Sequence, residues 1–142
     1  MIKSVMLGEE LTISTKNKVG LLADISKMLA DRGINIESAL GYESGKTAKL
    51  MIVTSANLTI VNELKKKKYK SIKESEVVLV ELDNKPGALK VVTTELKNAG
   101  IDIRYLYITS SSSPVEGSRM VVQTSDNEEA MALLSKYVNP KE

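Results

Sequence analysis

The chain has 142 residues, 42% of them apolar and 27% charged, and its 20 Lys and Arg against 18 Asp and Glu leave a net charge of +2. That length fits one ordinary domain or two very small ones, and the composition is that of a folded chain rather than a disordered one. Cysteine and histidine are both absent, which excludes disulfides, thiolate nucleophiles, His-containing zinc sites and every Ser-His or Cys-His catalytic pair.

A near-neutral charge gives no reason to expect a nucleic-acid or membrane-surface partner. No apolar run approaches the roughly 18 to 20 residues of a membrane span, and the first ten residues lack the apolar core of a signal peptide. A cytoplasmic location is the expectation. No Asp/Glu cluster has calcium-loop spacing, so neither a metal nor a cofactor is expected.

The first half opens on a half-buried strand, with Leu11 and Ile13 alternating with Thr12 and Ser14. The loop Asn17-Lys18-Val19-Gly20 leads into a helix whose apolar face carries Leu22, Ile25 and Leu29. Gly33 closes that helix, since glycine takes the left-handed conformation without a side-chain penalty. A second strand is predicted through Ile34, Ile36 and Ser38 toward Tyr42, then a turn at Glu43–Lys46 and a third strand around Leu50–Val53. A second helix follows, with Leu58, Val61 and Leu64 on one face and Lys65–Lys68 at its C-terminal end. There the four lysines complement the helix dipole and stay solvated. Tyr69–Ile72 is a candidate fourth strand.

The same order then returns. Val77–Leu82 reads as a strand, Asn84-Lys85-Pro86-Gly87 as the loop, and Leu89, Val92 and Leu96 as the helical face. Gly100 closes the helix before a strand through Ile101, Ile103, Tyr105 and Tyr107, where the two tyrosines share a face and suit core or interface packing. A turn at Ser110–Gly117, a third strand at Met120–Gln123 and a helix with Ala130, Leu133, Leu134 and Tyr137 complete it, and Val138–Glu142 leaves little room for a fourth strand. The serine-rich stretch before Pro114 lacks the glycine framework of a phosphate loop and reads as a hairpin tip.

The two halves are a repeat. Asn17–Leu22 matches Asn84–Leu89, and Gly33-Ile34-Asn35-Ile36 matches Gly100-Ile101-Asp102-Ile103, both at an offset of 67, while Met51–Val53 aligns with Met120–Val122 at 69. The β-α-β-β-α order closed by a strand is the split βαβ motif. The fold class is therefore α+β: two tandem ferredoxin-like (βαββαβ) modules, residues 1–74 and 75–142, each an antiparallel sheet with its helices on one face.

Each loop has a physical capacity for binding. Its residues open a helix, where the first backbone N–H groups lack intrahelical acceptors and favour an anion. Gly20 and Gly87 permit close approach, and the amides of Asn17 and Asn84 both donate and accept hydrogen bonds. The bland alternative, with equal weight on these residues alone, is that the asparagines cap the helices and the glycines permit tight turns.

The paired loop and Gly-[IV]-[ND]-I elements resemble the ACT-domain family, over nearly the whole chain. The resemblance implies a stand-alone regulatory protein rather than an enzyme. It implies an amino-acid ligand where modules meet, and a homodimer. By motif position it implies ligand contacts at Asn17, Val19, Gly20, Leu21 and Asn35 in the first module and at Asn84, Pro86, Gly87, Ala88 and Asp102 in the second. Asn35 can donate to a carboxylate, whereas ionised Asp102 favours an ammonium, so the two sites are not equivalent. Val19 stands where the family has proline. Thr15 and Leu82 stand where serine-sensing members have histidine.

Two other classes compete. RNA-recognition modules share the βαββαβ order but stack bases on aromatics of the central strands, and here those strands carry Leu11, Ile13, Leu50, Met51 and Val53. A protein-assembly module without a small ligand uses the same fold. An acylphosphatase-like enzyme needs an arginine set in an anion-binding loop, a motif that Arg32, Arg104 and Arg119 do not form.

Overall fold

The computed structural model describes residues 1–110 and 117–138. The predicted serine-rich hairpin tip and the last four residues lie outside the described residues. In chain order the elements are β1 (Ile2–Lys16), α1 (Leu21–Asp31), β2 (Ser38–Ser44), β3 (Thr47–Val53), α2 (Asn57–Lys66), β4 (Ser71–Leu82), α3 (Ala88–Asn98), β5 (Ile103–Ser110), β6 (Ser118–Thr124) and α4 (Asn127–Ser135). Among the described residues no helix is long and apolar enough to cross a membrane. The chain forms two compact units, one of Glu9–Ser75 and one of Met1–Gly8 with the chain from Glu76 onward.

In the first unit the strand order is β2-β3-β1-β4. β3 runs antiparallel to both β1 and β2, with Ile13 opposite Leu50 and Leu50 opposite Gly41. Because side chains alternate across a strand, Leu11, Ile13, Leu50 and Ile52 share one face. There they meet Ile25, Met28 and Leu29 of α1 and Ile60 and Leu64 of α2. Each such buried side chain contributes about 1.5–3 kcal/mol.

The helical faces differ from expectation at their first apolar residue, since Leu22 is 55% exposed and Leu58 76%. At about 100° per residue, Ile25, Met28 and Leu29 define the inward stripe of α1 and leave Leu22 at its edge. Ile60 and Leu64 do the same for α2 and turn Leu58 outward. The second strand also starts later than predicted, at Ser38. Gly33, at φ 68°, reverses the chain, the Ile34 N–H donates to the Leu29 carbonyl, and Ile34 and Ile36 pack on the core before the strand begins.

In the second unit the order is β1-β4-β6-β5, with β6 antiparallel to β4 and β5. Val78, Val80, Leu82, Met120 and Val122 from the strands pack with Val92 and Leu96 of α3 and Ala130 and Leu134 of α4. Leu89 and Tyr137, predicted on the inward faces, are 39% and 43% exposed. Ile101 precedes its strand, its N–H bonded to the Leu96 carbonyl, as Ile34 is bonded to Leu29. The place beside β4 is held by the amino-terminal segment: the Asp83 N–H donates to the Met1 carbonyl at 2.8 Å, and Ile2 is wholly buried in this core. The chain after α4 adds one parallel bridge, Val138 to Ile2.

The pairing also moves one alignment. Ile13 faces Leu50 and its repeat mate Val80 faces Met120, so β3 and β6 correspond at an offset of 70, not 69. One residue matters because it would exchange the two faces of a strand. The corrected offset aligns Thr54–Asn57 with Thr124–Asn127, and both pairs make the same lock. Each Thr Oγ1 bonds the Asn Oδ1, at 2.9 and 2.8 Å, and each Asn amide donates to a strand carbonyl, of Glu9 or Glu76.

Candidate functional site

A cleft of about 320 Å³ opens in the first unit between the start of α1 and the β2–β3 hairpin. Asn17, Lys18, Gly20, Leu21, Leu22 and Ala23 line it from the loop and helix, and Gly41–Glu43 and Ala48–Leu50 line it from the hairpin. Pairing and alternation explain its floor: Gly41 lies opposite Leu50 and Glu43 opposite Ala48, and these four share the helix-bearing face. Tyr42 and Lys49 occupy the intervening positions. Gly41 has no side chain to fill the space above Leu50, where an added Cβ would stand 3.7 Å from Leu50 Cδ1.

The helix start is uncapped. Gly20, at φ 88° and ψ 0°, is the N-cap of α1 and offers no side-chain oxygen. The Leu21 N–H reaches the Lys18 carbonyl at 3.4 Å, and the helix then opens toward the cleft through Leu22 and Ala23. Asn17 does not cap it. Its Nδ2 donates instead to Glu43 Oε2 at 2.5 Å, and its backbone N–H donates to the Lys46 carbonyl at 2.8 Å, tying the loop to the hairpin. Lys18 pairs with Asp24 at 3.6 Å.

Of the first-module candidates, the structure brings Asn17, Gly20 and Leu21 together at this cleft. Val19 projects fully into solvent, and Asn35 is exposed and not among the lining residues. In the second unit Asn84, Pro86 and Gly87 are exposed at the corresponding loop, while Ala88 is buried in the core and has no side-chain surface to offer a ligand. Asp102 is exposed, its backbone tied to Ser125 through both N–H and carbonyl. Gly87 repeats the left-handed N-cap at φ 90°, yet a Cβ there would lie 3.6 Å from Met1 Cε, so Met1 sits against this loop.

Gly41, Glu43 and Ala48 were not among the sequence candidates. Their signal was faint: a glycine inside a predicted strand, which marks close approach or an opening. Two arginines weighed for catalysis are engaged in ion pairs, Arg32 with Glu63 at 2.9 Å and Arg119 with its cross-strand neighbour Glu81 at 2.7 Å.

The family model for the ACT domain matches residues 10–73, the span that contains the cleft. Over those residues the chain is similar to an ACT domain. Among solved structures, protein BT0572 from Bacteroides thetaiotaomicron is similar at TM-score 0.84 and 24% identity, over 94% of this chain and 90% of that one. The regulatory subunit of aspartate kinase from Thermus thermophilus is similar at TM-score 0.63 and 14% identity, over 95% and 97%. E. coli aspartokinase III, in complex with lysine and aspartate, is similar at TM-score 0.53 and 18% identity, over 98% of this chain and 33% of that one. At these identities the likeness is one of fold. No curated protein matches the chain by sequence. The span that matches the ACT-domain model therefore sits in an α+β fold shared with regulatory domains of aspartokinases.

Proposed function

We propose that the protein is an amino-acid-sensing regulator of amino-acid metabolism, that the unit following the ACT domain is a second ACT-type module, and that the ligand is held at the loops opening α1 and α3. The cleft carries this reading. It joins an uncapped helix start, suited to a carboxylate, to Glu43 and Asn17, suited to an ammonium, in one cleft. Support for a second module is the repeated element order, the matching left-handed glycines and the Thr–Asn lock common to both units. Likeness in fold to the regulatory subunit of an aspartate kinase supports the role.

On this reading the contacts are Asn17, Gly20, Leu21 and Asn35 around the first loop, with Asn84, Pro86, Gly87 and Asp102 around the second, in a homodimer. Thermal unfolding against the standard amino acids tests it. A ligand at one hundred times its dissociation constant stabilises the native state by about 2.7 kcal/mol. Asn17→Ala is expected to diminish that shift, while Asn84→Ala reports on the second loop. A folded protein that shifts with none of them is not an amino-acid sensor.

A further inference from the structure

We infer that the groove between α1 and the turn from α2 into β4 is a further binding site, which takes a small phosphate ester with a flat apolar body. The groove lies within the first unit and has a volume of about 310 Å³, at the small end of the usual range of about 300–1,000 Å³ for ligand sites. Of its lining residues only Lys18 also lines the cleft at the start of α1.

The turn builds one wall. α2 ends at Lys66, the Lys67 N–H donates to the Glu63 and Leu64 carbonyls, and Lys68 takes the left-handed conformation at φ 69°. The chain thereby folds back, so that the Tyr69 N–H reaches the Leu64 carbonyl and Tyr69 packs on the core while lining the groove. From α1, Ile25 and Met28, both buried, extend this apolar floor. An aromatic ring beside two apolar side chains suits a flat apolar group.

The rim is charged, and each of its carboxylates is matched. Asp24 pairs with Lys18 at 3.6 Å and Asp31 with Lys27 at 2.6 Å. In the adjoining pocket, which shares Met28, Asp31 and Lys67, Glu63 is met by both Arg32 and Lys66, at 2.9 and 3.4 Å. Lys67 is left over. Among the described residues it forms no ion pair, and it acts on Asp31 only at longer range, where Lys27 first, and Lys67 and Arg32 after it, hold that carboxyl below its usual range. The Tyr69 hydroxyl makes no hydrogen bond among the described residues.

An ammonium and a hydroxyl thus line the groove with donors to spare, and both suit a phosphate oxygen. Lys18 keeps its donors as well, because 3.6 Å is too long for a hydrogen bond. A cationic ligand has no unmatched carboxylate to meet. The field of the unit agrees in sign: residues 9–75 carry twelve Lys and Arg against eight Asp and Glu, and the rest of the chain eight against ten.

Isothermal titration of the full chain with AMP, adenosine, inorganic phosphate and a short single-stranded RNA tests the assignment. AMP is expected to bind at least about tenfold more tightly than adenosine, which lacks the phosphate, or phosphate, which lacks the body, and to weaken as salt is raised. Lys67→Gln should weaken AMP about tenfold, while Lys65→Gln, the same change of charge outside the groove, should leave it within about twofold. Both positions are exposed, so both variants should keep the unfolding temperature of the parent. Equal weakening by the two substitutions overturns the groove and leaves a diffuse basic surface. Adenosine level with AMP overturns the phosphate anchor, and phosphate level with AMP overturns the apolar body. RNA bound more tightly than AMP assigns the surface to a polymer backbone instead. Heat from neither AMP nor phosphate removes the site, and none of these results decides the amino-acid reading of the cleft.

Discussion

Lys68 is the one described non-glycine residue with positive φ, at 69°. It occupies after α2 the place that Gly33 and Gly100 take after α1 and α3, with the following Tyr69 N–H bonded to the Leu64 carbonyl. A left-handed side-chain residue costs about 1–2 kcal/mol, of which glycine's greater freedom in the unfolded chain returns about 0.4–1. Lys68→Gly is therefore expected to stabilise the protein by several tenths of a kcal/mol to about 1 kcal/mol in urea unfolding. Gly117 is the opposite case: at φ 74°, its added Cβ would lie 2.4 Å from the Leu82 carbonyl oxygen, and Gly117→Ala should cost about 2 kcal/mol or more by the same measurement. At Tyr137, the hydroxyl donates to Glu95 at 2.8 Å, and that bond raises its pKa above the ordinary 10.0. A raised folded pKa means the bond's stability is present below about pH 10 and is lost as pH rises through the folded value. The stability difference between the protein and Tyr137→Phe should accordingly vanish at strongly alkaline pH and stay constant near neutrality.

At the scale of elements, periodicity located all four helices and most strands, but it misjudged where they begin. Leu22, Leu58 and Leu89 fit an i, i+3 pattern and yet face outward, because a helix of 10 or 11 residues lying on a sheet buries a narrow stripe. Ile34 and Ile101 look like strand residues because they are β-branched; in the fold they plug the core at the helix exits. The largest surprise is the amino-terminal segment, which pattern reading left without a structure. Ile2 is buried in the core of the second unit, beside Val80 and Leu82. Ile2→Ala should cost about 2–4 kcal/mol, with faster amide exchange in β4 and β6. Unchanged exchange there would contradict the packing.

For the molecule as a whole, ligand binding is expected to slow amide exchange most strongly at Gly20–Ala23 and in β2 and β3, since those groups line the cleft. A gain confined to α3 and α4 would place the ligand elsewhere. The repeat, the α+β class, the helix-closing glycines and the left-handed loop glycines were all legible in the chain, because periodicity and turn chemistry act between residues a few positions apart. Asn17, Gly20 and Leu21 could be singled out for the same reason. The face of Gly41, the approach of Glu43 to Asn17 and the placing of Met1–Gly8 beside β4 were not legible. Each depends on which distant strands pair and in what register, and a shift of one residue reverses every side chain, so long-range pairing alone decided where the cleft opens and what lines it.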